Sequence, residues 1–236
     1  MIDIRRTIVE CVPRDLLLDL EDRLSADAWK AHEIVRDHIP LNAKRGRETV
    51  GQIRFRLQEQ GFEEIVANHG GILLEGGFIP GSDLKVFQPF ARFVGSPVGV
   101  VLGFASMPEP RKMPAKNQSR AAGVTLNYCL QERLDFDGTS PKGTDIFILF
   151  LVSRDRTRAG MIEEVAIGAI DSAYEDFIFY ETIEKFLSDY LSPPNAPVDG
   201  GPDGTPPIVR LRKQQVLFKK PEDQQPGDEV EGGTAS

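Results

Sequence analysis

The sequence predicts an α+β fold: three N-terminal helices packed on a mixed, mostly antiparallel sheet, then one C-terminal helix and a flexible tail. Three observations carry this prediction. Apolar residues recur at helical spacing through residues 12–69. Short apolar runs broken by Gly, Pro and Ser-Asp turns fill 72–171. After residue 191 the composition shifts to Pro, Gly and acidic residues. A chain of 236 residues is long enough for one substantial core. The expected organisation is a single domain over 1–191, divided into the helical portion 12–69, the sheet portion 72–171 and a C-terminal helix region over 172–191. A linker over 192–206, a candidate docking strand over 207–218 ("IVRLRKQQVLF" within it) and a disordered tail over 219–236 complete the chain.

The elements follow in order. "TIVECV" reads as a short opening strand. In "VPRDLLLDLEDRLS", Pro13 suits a first helical position and the leucines recur on one face through Leu24. Ser25 is placed to cap a second helix, "ADAWKAHEIVRDHI", which Pro40 stops, and "PLNAKRGR" reads as a basic linker. Val50, Ile53, Leu57, Ile65 and Val66 line up on a third helix that Gly70 and Gly71 end. Beyond it, Pro89 in "KVFQPFARF" points to an edge strand or a bulge. "AAGVTLNYCL", "TDIFILFLVS" and "MIEEVAIGAID" read as further strands. The unbroken apolar run "IFILFLV" predicts a central strand covered on both faces, whereas the partial alternation of "MIEEVAIGAID" predicts a wetter face. In "DSAYEDFIFYETIEKFLSDYLS", Ser172 and Glu175 have capping-box spacing, "FIFYE" also makes a short strand, and a helix is expected by residue 182.

Composition removes several classes of function. The net charge of −8 argues against a surface that attracts nucleic acid or anionic membrane as a whole, so any such contact must come from a local basic patch. Cys11 and Cys129 lie in apolar stretches with no C-x-x-C pattern, which reads as two small buried side chains rather than a zinc site. The start lacks the apolar core of a signal peptide, and "IFILFLV" has about a third of the length of a bilayer span. A cytosolic protein of bacterial type, without membrane contact, is expected.

"DFDGT", with Asp135 and Asp137, resembles the first signature of haloacid-dehalogenase-type phosphatases. The resemblance implies a nucleophilic Asp135, a general acid/base at Asp137 and a magnesium ion. Such a loop must follow a buried parallel strand, yet "QER" stands there, and "TSPKGT" is too short for a parallel crossover. The stretch therefore reads as a turn. His32 and His38 are six residues apart, about 120° on a helix, and do not share a face as metal ligands would. His69 falls at a helix C-terminus.

The more informative segments are basic. "MPEPRKMPAKNQSR" (107–120) carries Arg111, Lys112, Lys116 and Arg120 on an extended stretch, with Asn117 and Gln118 able to read base edges or ribose. Arg154, Arg156 and Arg158 crowd a hairpin turn, and Lys44, Arg45 and Arg47 precede the third helix. On one face, these would give an acidic protein a basic platform. The expected function is a non-enzymatic binding protein that contacts nucleic acid or a partner protein through 107–120 and 154–158, with no cofactor. The first alternative is a metal-dependent phosphodiesterase or nuclease that uses Asp83, Glu109 and Lys112 to hold Mg²⁺ and a water. The second is a structural subunit of a larger complex.

Overall fold

A computed structural model describes residues 2–74, 88–130, 145–188 and 190. The linker, the candidate docking strand and the tail lie outside the described residues, as do Asp83 and the "DFDGT" stretch.

The chain opens on a helix rather than a strand. Asp3 caps α1 (Ile4–Cys11) by accepting from Arg6 N at 3.1 Å. Ile4, Ile8 and Val12 recur every four residues, and Ile8 is fully buried, so helical spacing overrides the β-branched composition. The next two expected helices are one, α2 (Arg14–His38). Ser25 does not interrupt it, because Leu16, Leu20, Leu24, Ala28, Ala31 and Val35 form one buried stripe through that point. The supposed basic linker is also helical. Asn42 caps α3 (Ala43–Asn68) by accepting from Arg45 N at 3.0 Å, which puts Lys44, Arg45 and Arg47 in its first turns.

α2 and α3 form an antiparallel hairpin. Arg23 ties it by bonding Asp27 at 3.0 Å and Glu64 at 2.8 Å, and Gln58 Nε2 donates to the Leu24 carbonyl at 3.0 Å. Gly61 allows the close approach, since a Cβ there would lie 2.5 Å from an Asp27 oxygen. Gly70, at φ +79°, ends α3 in the left-handed conformation that favours glycine.

Among the described residues the sheet has six strands in sequential order: β1 (Ile72–Leu73), β2 (Phe90–Phe93), β3 (Gly99–Met107), β4 (Asp145–Arg154), β5 (Ile162–Ile170) and β6 (Phe177–Thr182). β3 and β4 are parallel, from Gly99 opposite Asp145 to Met107 opposite Ser153, and every other neighbouring pair is antiparallel. The fold is therefore α+β with a mixed, mostly antiparallel sheet. β4 is central and buried from Asp145 to Ser153, as its apolar run predicts. Its Ile146, Ile148, Phe150 and Val152 join Leu20, Leu24 and Phe62 on the helical side, while Phe147, Leu149 and Leu151 face the opposite layer.

That opposite layer differs from the expected strand "AAGVTLNYCL". It is a short helix, α4 (Gln118–Val124), running into a 3₁₀ turn (Thr125–Leu130). Asn117 starts α4 by accepting from Arg120 N at 2.8 Å. Gly123 lies against the Phe147 ring, where an added Cβ would come within 2.6 Å. Pro89 falls just before β2 rather than inside a strand. β5 is exposed or half-buried only over its first three residues. The capping box at Ser172 does not form, because Asp171 accepts from Glu175 N at 2.6 Å. β6 follows, and α5 (Ile183–Ser188) starts one residue after the expected limit. Among the described residues no helix is long and apolar enough to cross a membrane.

Candidate anion-binding groove

The loop after β3 is fastened to the sheet rather than free along its length. Arg120 is buried, and its guanidinium donates to the Ala115 carbonyl and to Gln88 Oε1. Asn117 is used twice, as the α4 cap and as a donor to Gln88 at 2.9 Å. Tyr174 Oη donates to the Pro114 carbonyl at 3.2 Å, and the Lys116 ammonium lies 5.5 Å from the centre of the Tyr174 ring. Arg111 adopts a left-handed φ of 61° while its backbone N–H donates to Tyr180 Oη at 3.2 Å. Tyr180 in turn donates to Glu164. Burial and the Glu164 carboxylate push its phenol well above the ordinary value. Arg120 and Asn117 thus build the loop, and its exposed cations are Arg111, Lys112 and Lys116.

The second basic segment is the β4–β5 hairpin turn, organised by Asp155. Its carboxylate accepts from Thr157 Oγ1 at 2.7 Å, Thr157 N at 2.8 Å, Arg158 N at 2.9 Å and Arg158 Nε at 2.5 Å. These bonds, the Thr157 hydroxyl first, hold it well below the usual carboxylate range. Gly160, at φ +78°, lets the turn rest on α2, since a Cβ would meet His32 at 2.9 Å and Trp29 at 3.1 Å.

The two basic segments touch. Glu109 bonds Arg156 at 2.6 Å and Lys112 at 3.1 Å, and Arg156 also reaches the Pro108 carbonyl at 3.4 Å. Both cations lower the Glu109 carboxyl, Lys112 most. Of the three cations that 108–112 and 156 bring, Lys112 and Arg156 therefore share one carboxylate in place. Of the three nuclease candidates, Glu109 and Lys112 are paired to each other and Asp83 lies outside the described residues. Among the described residues no group of three acidic, His or Cys side chains is placed to hold a metal ion.

The arginine turn also walls a groove of about 690 Å³ against the α2–α3 hairpin. Val35, Ile39, Leu41, Val50 and Met161 supply apolar walls, and Arg47, Arg54 and Arg154 bring cations from α3 and the end of β4. Leu41 and Met161 are each about 40% exposed, as is Trp29 beside the turn, so an unusually apolar surface gathers at this place. Arg36 and Arg156 also border the groove, but each is paired, Arg36 with Asp37 at 2.6 Å. The side chains of Arg47, Arg54 and Arg154 have no hydrogen bond or ion pair among the described residues. Arg54 is half-buried, and burial, followed by the nearby charge of Arg154, pushes its guanidinium below its ordinary value. A cation withdrawn from water beside a like charge is costly unless an anion joins it.

Sequence reasoning singled out Arg47 and Arg154 but missed Arg54. The available signal is spacing: Arg47, Val50 and Arg54 sit at i, i+3 and i+7 on α3 and share a face. The apolar walls had no such signal, because Ile39, Leu41 and Met161 lie in connections. Compared with known proteins, the chain matches no family model, no curated protein and no solved structure.

Proposed function

We propose that this chain is a non-enzymatic binding protein that takes an acidic, partly apolar segment of a partner protein into the groove between α2–α3 and the arginine turn. The observation that carries the reading is the convergence of Arg47, Arg54 and Arg154, without acidic partners among the described residues, on a groove with exposed Leu41 and Met161 at its walls. Arginine and methionine beside apolar side chains are typical of the anchoring part of protein interfaces. A nucleic-acid backbone fits less well. The net charge of −8 opposes a polyanion at long range, Glu109 occupies one cation of the loop and one of the arginine turn, and an apolar wall offers nothing to a phosphodiester chain.

The test is selection of peptides from a displayed random library, with single- and double-stranded DNA and RNA retention at about 50 mM salt measured in parallel. The expected outcome is enrichment of Asp or Glu together with Leu, Phe or Met, with affinity that falls as salt rises. Changing Arg54→Met and Arg154→Gln together should cost at least about tenfold, about 1.4 kcal/mol. Selection without acidic enrichment would overturn the reading. Nucleic-acid retention lost in the same variants would transfer the groove to nucleic acid, and Mg²⁺-dependent cleavage would favour the enzymatic alternative.

A further inference from the structure

We infer that Arg54 and Arg154 form a seat for a phosphoryl group, so that the segment bound in the groove is a phosphorylated one. The inference rests on the partner-binding reading above and names the chemistry of the group bound. A guanidinium is a planar fork whose two parallel N–H groups match one carboxylate, so one arginine suffices for an Asp or Glu side chain. Here two unpaired forks from different elements, α3 and the end of β4, face the same groove, with Arg47 seven residues before Arg54 on the same helical face. A phosphoryl group carries nearly two negative charges at neutral pH and three acceptor oxygens. It can engage both forks at once and cancel both charges, which a single carboxylate cannot.

The surroundings agree with a fixed seat. The pairing of Arg154 with Ile162 at the end of β4 sets its backbone, and the four bonds to Asp155 and the close approach of Gly160 to His32 and Trp29 fix the turn that follows. The α2–α3 hairpin, tied by Arg23, Asp27 and Glu64, sets the position of Arg54. The acidic residue lining the groove, Asp155, is committed to its own turn, and the nearby Asp37 and Glu33 carboxylates pair with Arg36. The seat therefore lacks an internal anion among the described residues. The apolar walls from Val35, Ile39 and Leu41 then receive the side chains that flank the phosphorylated residue.

Two probes test this with the full chain. Inorganic phosphate is compared with chloride at equal ionic strength by thermal denaturation. Two oriented peptide libraries, with a central phosphoserine or a central serine and otherwise identical, are compared for binding. Phosphate should raise the melting midpoint by a few degrees at concentrations well above its Kd. The phosphorylated library should bind at least about tenfold more tightly than its twin. Arg54→Met and the more exposed Arg154→Gln should each abolish that ratio, and Arg111→Ala should leave it unchanged. Equal binding of the two libraries, or a ratio that survives both variants, overturns the phosphoryl seat. If the serine library still binds in a salt-dependent, Arg54-dependent manner, the partner-binding reading stands while the phosphoryl seat falls. A phosphate response together with adenosine monophosphate binding and no peptide binding overturns the phosphorylated segment as occupant.

Discussion

Asn127→Ala is the perturbation whose cost is most directly readable from the fold. Asn127 is fully buried in the 3₁₀ turn after α4. Its Nδ2 donates to the Phe147 carbonyl at 2.9 Å and to the Ile170 carbonyl at 2.7 Å, and its Oδ1 accepts from Phe147 N at 2.7 Å. The β4–β5 ladder pairs Leu149 with Gly168, and continuing its register would set Phe147 opposite Ile170. The amide is thus wedged where the two strands would next have bonded each other, and it replaces their missing ladder bonds with its own. Alanine removes all three bonds at about 1 kcal/mol each and leaves a buried N–H unpaired, a penalty of about 1–3 kcal/mol. The expected loss is about 4–6 kcal/mol, a large part of the roughly 5–15 kcal/mol typical of a domain. For a domain near this size that lowers the melting midpoint by roughly 10–20 °C. Urea unfolding followed by circular dichroism measures it, with the m-value unchanged. A loss below about 1 kcal/mol would refute the reasoning, since it would show that β4 and β5 close up and complete their own ladder once the wedge is gone.

Three further outcomes follow from the same geometry. Gly61→Ala should lose about 1–2 kcal/mol in the same urea experiment, because overpacking at the α2–α3 crossing against Asp27 and Arg23 outweighs the gain in helix propensity; a more stable variant would mean the Arg23–Asp27 pair swings aside. The Asp155 carboxyl is depressed in the folded state, so its contribution to the turn is fully present above the ordinary Asp value near 4 and is lost only as pH falls through the lower folded value. The Thr157 and Arg158 amide proton shifts should accordingly be the same at pH 7 and pH 4, and a titration midpoint near pH 4 would contradict this. Glu109→Gln releases Lys112 and Arg156 and should tighten binding of an acidic segment several-fold at low salt, with a steeper salt dependence; unchanged affinity would remove residues 108–112 from the interface.

The α+β class, the helical N-terminal portion and the buried central strand were legible because each depends on spacing along the chain. Apolar residues three to four apart make one helix face, and an unbroken apolar run makes a strand covered on both sides. The places where the reading failed are those where a local signal was outvoted. Ser25 looks like a cap, but the stripe from Leu16 to Val35 buries straight past it. "GVTLNY" has strand composition, yet Asn117 starts a helix just before it and Asn127 makes its bonds from a side chain, so no ladder is needed there.

The candidate site divides in the same way. Sequence by itself determined which segments are rich in cations: 107–120, 154–158 and the start of α3. Only the tertiary structure decided what each cation does. It buries Arg120 against Ala115 and Gln88, spends Lys112 and Arg156 on Glu109, and leaves Arg47, Arg54 and Arg154 unpaired at a groove. The physical reason is range. A residue's neighbours within a turn of helix or a step of strand are fixed by covalent connection. The partner that neutralises a charge, or the wall that withdraws it from water, comes from wherever the fold brings another part of the chain alongside, as when Arg154 at the end of β4 is set beside Arg54 of α3.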